Sequence, residues 1–89
     1  MRVVYTKHAK DKFLDKEVVK LGIKEEHIVG VLEDPIVVDK VINPHQSIGW
    51  FSKTLSLSVI WKIEKGNTKV ITFYVAGKGR YESKILQGR

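Results

Sequence analysis

The chain has 89 residues, of which 43% are apolar, and this length suffices for one small hydrophobic core, so we assign residues 1–89 to a single domain. The absence of cysteine excludes disulfide frameworks, cysteine-based zinc sites and thiol nucleophiles, and it favours a reducing, cytoplasmic location.

The whole net charge of +6 lies in the second half: residues 1–45 hold 8 basic and 8 acidic residues, whereas residues 46–89 hold 8 basic residues against Glu64 and Glu82. This excess indicates an anionic partner. No window approaches the ~18 apolar residues of a membrane-spanning helix, so we expect no membrane partner.

The first half of the chain predicts a strand and two helices. Residues 2–6 are rich in β-formers, and Thr6 is a good helix N-cap. A helix is predicted over residues 7–21, but its apolar residues form two sets that face different ways, so we expect it to be bent, wide-faced or broken. Gly22 suits a helix end, and a second helix is predicted over residues 24–33.

The second half predicts strands. β-Branched or aromatic residues favour strands over residues 36–42 and 48–53, and the alternation of residues 54–64 is typical of a strand with one buried face. Residues 69–76 are predicted to be the partner of that strand. The fold class is therefore α+β: a short N-terminal strand, two helices, then a three- to four-stranded antiparallel sheet with the helices on one face.

The last two strands form a predicted hairpin whose register can be argued. We expect Ile71, Phe73 and Val75 on the buried face beside Trp61, with Val70 on the opposite face. Opposed residues share a face, so this pairing requires an odd number of loop residues, which predicts a loop of three or five. The other face would then be polar, with Ser56, Ser58, Lys62, Thr72 and Tyr74.

In this order of elements the chain resembles the RelE/ParE-like toxin superfamily, in particular a group of small domains related to RelE and BrnT toxins. Four segments carry the resemblance: Tyr5-Thr6-Lys7-His8-Ala9, Gly22-Ile23, Leu32-Glu-Asp-Pro35 and Arg80-Tyr81. The chain departs from the group in a longer stretch between His8 and Gly22, and in having Lys10 and Lys12 where related chains often carry an arginine.

The resemblance implies a RelE-like fold, a target of RNA or ribosome-bound mRNA, and an antitoxin protein as partner. Superfamily members of known activity cut RNA without a metal ion. Such a reaction needs a base for the 2′-hydroxyl proton, cations for the phosphate and an acid for the leaving 5′-oxygen. The resemblance therefore implies a toxin-like RNA-binding domain that acts as a metal-independent endoribonuclease, by 2′-hydroxyl attack on the 3′ phosphate.

Three residues are candidates for this chemistry. Arg80 can hold two phosphoryl oxygens with its planar guanidinium, or it can be an exposed arginine that extends a strand. Tyr81 can stack on a base or donate a proton, or it can cover the core. His8 can carry protons at neutral pH, or it can be a capping or packing histidine beside Thr6. Further contacts with RNA are predicted for Lys7, Lys53, Lys62, Tyr74, Lys78 and Lys84.

Other residues are assigned no ligand. His8, His27 and His45 lack metal-ligand spacing, so we predict neither a metal nor a cofactor. Trp50 and Trp61 are interpreted as core or interface residues in preference to base-stacking platforms, and Trp61 more firmly so because it lies on the apolar face.

The alternative function is a non-catalytic interaction or nucleic-acid-binding module on the same fold. The lysines in place of an arginine in the first helix favour it. Such a module should expose an apolar patch, for which Trp50 and Phe51 are the candidates.

Overall fold

The computed structural model describes residues 1–77. These residues form three helices and five strands: β1 (Val3–Tyr5), α1 (Lys7–Lys12), α2 (Lys16–Leu21), α3 (Glu25–Glu33), β2 (Val37–Asp39), β3 (His45–Trp50), β4 (Leu55–Glu64) and β5 (Asn67–Gly77). The predicted α+β class is confirmed.

The five strands form one mixed sheet in the order β1-β5-β4-β3-β2. The neighbours from β5 to β2 are antiparallel, whereas β1 runs parallel to β5 and pairs with Thr68, Lys69 and Val70. The sheet thus has five strands instead of three to four, because the N-terminal strand joins it. A parallel pair needs a long crossover, and the chain between β1 and β5 supplies it.

The helix predicted over residues 7–21 is broken into α1 and α2, one of the three alternatives that its two apolar sets allowed. Thr6 caps α1 by accepting a hydrogen bond from Ala9 N, as predicted. Asp15 restarts the helix by accepting from Glu17 N. Each helix buries one small apolar residue, Ala9 in α1 and Val18 in α2. The two apolar sets face different ways because they belong to two helices.

The core lies between the helices and one face of the sheet. Ala9, Val18, Ile23, Ile28 and Val31 pack against Leu57, Val59, Val70 and Phe73. Helix α1 packs on β5 and β1, and α3 packs on β3 and β4, so both cover the same face, as predicted.

The β4–β5 turn differs from the prediction. Glu64 pairs with Asn67, so the loop has two residues, Lys65 and Gly66, and the expectation of three or five is wrong. Both residues have positive φ, +53° and +78°, as a type I′ turn requires. The two-residue turn places Trp61 opposite Val70, which is fully buried instead of lying on the opposite face.

A β-bulge then restores the predicted pairing further along the hairpin. The register shifts between Ile60 and Trp61, so that Ile71 is left without an opposed residue on β4. Beyond the bulge, Val59 pairs with Phe73 and Leu57 pairs with Val75, as the apolar pattern predicted. The extra residue in β5 shifts the pairing by one position, as a loop with an odd number of residues would also have done.

Candidate nucleic-acid interface

Helix α1 is fixed to β5 at the bulge by Thr6. The Thr6 backbone N–H donates to Val70 O at 3.0 Å, and its hydroxyl donates to Ile71 O at 2.9 Å. The same hydroxyl oxygen accepts from Ala9 N at 3.1 Å. One residue therefore ends β1, starts α1 and holds that helix beside β5.

The side chain of Lys12 reaches from the last turn of α1 to the far half of β5. Its Nζ donates to Thr72 Oγ1 at 3.4 Å and lies 4.0 Å from the centroid of the Tyr74 ring. A cation over an aromatic face is an attractive arrangement. Burial lowers the pKa of Lys12, and the nearby Asp15 carboxylate opposes part of that shift. Tyr74 remains 45% exposed, so its ring is accessible beside this ammonium group.

His8 lies one helical turn before Lys12 on α1 and is exposed. The two residues line one open cavity of about 390 Å³ together with Asp11, Leu14 and Asp15. Lys12 also lines the neighbouring cavity of about 510 Å³, where Tyr74 and Phe73 lie. Lys12 and Asp15 thus line both cavities. We call His8, Lys12 and Tyr74 the α1–β5 site.

Lys62 is held in an ion-pair cluster. Its Nζ lies 3.6 Å from Glu64 Oε2, and Lys69 Nζ lies 3.1 Å from the same oxygen. The hydrogen bond from Lys69 and then its charge lower the pKa of Glu64, with a further contribution from Lys62. One carboxylate therefore offsets one of two ammonium charges, and the cluster keeps a single net positive charge.

The remaining predicted residues divide by position. Lys62 lies on the same sheet face as Tyr74, about 13 Å further along β4 from the residue opposite Tyr74. Lys7 is exposed at the start of α1, and Lys53 is exposed in the loop between β3 and β4. The predicted residues Lys78, Arg80, Tyr81 and Lys84 lie outside the described residues.

Lys12 was not predicted to be a site residue, although its spacing of four residues from His8 indicates that both lie on one helix face. Its contact with Tyr74 had no such signal, because the two residues are remote in sequence. Within residues 1–77, no helix is long and apolar enough to cross a membrane, and no three histidine, aspartate or glutamate side chains gather as metal ligands would.

The two tryptophans differ in solvent exposure. Trp61 is half-buried against the core, as predicted. Trp50 is 63% exposed, so its interpretation as a core residue is wrong and only the interface interpretation stays open. Phe51 beside it is half-buried and packs against the ring of His27 at 5.0 Å between centroids.

Comparisons with protein-family models, curated proteins and solved structures found no match to this chain.

Proposed function

We propose that the protein is a toxin-like RNA-binding domain of RelE-like fold that binds RNA at the α1–β5 site. One observation carries the proposal: the Lys12 ammonium group lies 4.0 Å from the ring of the half-exposed Tyr74, and His8 shares a cavity with Lys12. Proteins bind single-stranded nucleic acid with positively charged groups that contact the phosphates and with exposed aromatic side chains on which the bases stack.

The environment of Lys12 favours this role. Its ammonium group is partly desolvated, which lowers its pKa, so it gives up less hydration than a free lysine when it meets a phosphate. Asp15 lines the cavities on both sides of Lys12, with Asp11 on the His8 side and Glu17 on the Tyr74 side, so the carboxylates favour neither cavity. The phosphate contacts the Lys12 ammonium group where the two cavities meet, and the backbone continues toward the net positive cluster of Lys62 and Lys69.

The catalytic form of the proposal is metal-independent cleavage. The imidazole of His8 takes the proton of a 2′-hydroxyl, and the 2′-oxygen bonds to the adjacent 3′ phosphorus. The bond from phosphorus to the 5′-oxygen breaks, and that oxygen takes a proton from Tyr81 while Arg80 holds the phosphoryl oxygens. The products are a 2′,3′-cyclic phosphate and a 5′-hydroxyl. An antitoxin that covers the site is the partner implied by the family resemblance.

Binding is tested with a labelled single-stranded RNA, whose fluorescence anisotropy is measured over a range of salt concentrations. If about five cations each neutralise a phosphate, the log–log salt slope is roughly −3.5. The Lys12→Met variant should reduce the magnitude of that slope by about 0.7, the share of one phosphate. Lys20→Met, an exposed lysine of α2, is the matched control and should leave the slope unchanged. Salt-insensitive binding, or no binding, contradicts the proposal.

Cleavage is tested on the same RNA with and without ribosomes. The wild type should cut, and His8→Ala and Arg80→Ala should not. If both variants keep the activity, the proposed catalytic residues are wrong.

The second candidate function is a non-catalytic interaction module. The 63% exposure of Trp50 favours it, because an exposed large aromatic is a typical interface anchor. Trp50 lines a cavity of about 320 Å³ that also holds Glu26 and Asp34, so its partner would combine an apolar side chain with a basic one. RNA binding without cleavage, together with loss of a protein partner in Trp50→Ser, would favour this function.

A further inference from the structure

A separate cavity of about 320 Å³ lies at the other end of the sheet, on the helix-covered face. Trp61 and Lys40 line it together with apolar side chains that include Leu32, Val38 and Ile63. Trp61 shares its face with Val59 and Leu57, whereas Tyr74 is on the opposite face, so this Trp61 cavity is distinct from the α1–β5 site. Its volume is at the lower end of the range for small-ligand sites.

The indole ring of Trp61 is held in one orientation. Its Nε1–H donates to Ser47 Oγ at 2.8 Å, and Ser47 is only 1% exposed. The ring of His45 packs edge-on against the indole, with 4.8 Å between centroids. His45 is itself fixed, since its Nδ1 donates to Ile42 O at 2.9 Å. A preorganised aromatic wall loses little entropy when a planar ligand stacks on it.

The charge of the cavity comes from Lys40. Its Nζ lies over the Trp61 ring, 5.8 Å from the centroid, on an exposed and flexible side chain. The neighbouring Asp39 is buried, and its Oδ1 accepts a hydrogen bond from Val41 N. The Trp50 cavity and the two cavities that share Lys12 each include a carboxylate, whereas the Trp61 cavity has a cation without one. Its electrostatic complement is therefore an anion.

We infer that the Trp61 cavity binds a nucleobase that carries a phosphate. The base stacks on the indole in place of the Lys40 ammonium group, which swings to the phosphate; base–aromatic stacking and a cation at the phosphate are general features of nucleotide binding. A free mononucleotide and a nucleotide within an RNA strand share this chemistry. The inference does not rest on the function proposed above, because it uses none of the residues of the α1–β5 site.

The test is fluorescence quenching in the Trp50→Phe variant, where Trp61 is the sole tryptophan. Adenosine monophosphate, adenosine, inorganic phosphate and a short oligoadenylate are titrated separately. Adenosine monophosphate should quench saturably, with adenosine about tenfold weaker and phosphate alone without effect. Saturable quenching by the mononucleotide identifies a free-nucleotide site, whereas quenching by the oligoadenylate alone identifies an RNA subsite.

Lys40→Met in the same background should remove the difference between adenosine monophosphate and adenosine. Lys20→Met is the matched control and should keep it. Lys40 is exposed, so its replacement leaves the core intact, and a thermal melt of each variant checks this. Measurable and equal quenching by adenosine monophosphate and adenosine in the Trp50→Phe protein overturns the inference, and so does an unchanged preference for adenosine monophosphate when Lys40→Met is added. Lys12→Met should leave the quenching by adenosine monophosphate unchanged while it weakens RNA binding, so the two proposals fail independently.

Discussion

Gly49 of β3 lies so close to Val31 of α3 that a Cβ built on Gly49 would be 2.9 Å from Val31 Cγ2. Both residues are buried, and the contact sets how closely α3 approaches the sheet. The contact leaves room for a hydrogen on Gly49 and for nothing larger.

Gly49→Ala should therefore destabilise the protein by about 1–3 kcal/mol, the usual cost of overpacking a tight core position. The matched control is Gly30→Ala in α3, where an added Cβ would meet no atom within 4 Å. That substitution should stabilise the fold by up to about 1 kcal/mol, because alanine is the better helix former. Urea denaturation measures both values, and a Gly49→Ala variant as stable as the wild type would contradict the packing argument.

Lys65 occupies a position that lysine does not favour. Its φ of +53° is the left-handed conformation that asparagine and glycine adopt readily in type I′ turns. Lys65→Asn should raise the free energy of unfolding by about 0.5–1 kcal/mol, since it relieves part of the cost of this conformation. Lys65→Thr should lower it, because β-branched residues tolerate positive φ poorly. Equal stability of the two variants would show that the turn does not constrain residue 65.

The same turn marks the limit of what the sequence could predict. The alternation of β4 and the apolar pattern of β5 predicted the pairs of Val59 with Phe73 and Leu57 with Val75. They did not predict the pair of Trp61 with Val70, which was expected on the opposite face. The predicted loop length was wrong, because either a loop with an odd number of residues or a β-bulge can bring the apolar residues of the two strands to the same face. The pattern does not distinguish a two-residue turn with Ile71 as an extra residue from a longer loop.

The candidate site was predictable to a similar degree. The neutral N-terminal half supplies His8 and Lys12 four residues apart, which the helix period places on one face. The meeting of Lys12 with Tyr74 depends on the early end of α1, on Thr6 holding that helix to β5, and on the bulge that sets the register of Tyr74. These are tertiary facts, and no local pattern encodes them.

Ionisation of Tyr5 should lower the stability of the protein at alkaline pH. Burial raises the pKa of Tyr5 from 10.0 to about 12, with a further contribution from the Glu25 carboxylate. Below pH 10, Tyr5 is protonated in both the folded and the unfolded state, and its contribution to the free energy of unfolding is complete. Between pH 10 and about 12 the unfolded chain ionises first, so stability falls as pH rises through this window.

Tyr5→Phe should remove that part of the alkaline loss, which is measured as the difference between the two stability curves from pH 8 to 12. The Tyr5 hydroxyl is buried without a hydrogen-bond partner among the described residues, so its removal should be neutral or stabilising at pH 7. Phenylalanine keeps the edge-on contact with Phe13. Parallel curves for the two proteins would show that Tyr5 does not cause the slope.

Unlike Tyr5, Lys12 should make the protein more stable as the pH rises. Burial lowers its pKa below 10.5, so the folded state releases the proton before the unfolded state does, and stability rises with pH between the lowered value and 10.5. At pH 7 the charged ammonium group therefore costs stability, partly offset by its contact with Tyr74. Lys12→Met keeps the apolar stem and removes the charge.

The stability of Lys12→Met relative to the wild type should therefore be greatest near pH 7 and decrease toward pH 10.5, as measured by urea denaturation at several pH values. The same variant should bind single-stranded RNA more weakly at pH 7. A residue whose removal leaves the fold as stable or more stable and weakens binding is retained for the ligand, since a purely structural lysine would lose stability together with affinity. A Lys12→Met protein that is less stable at every pH, with RNA affinity unchanged, would assign Lys12 to the fold alone.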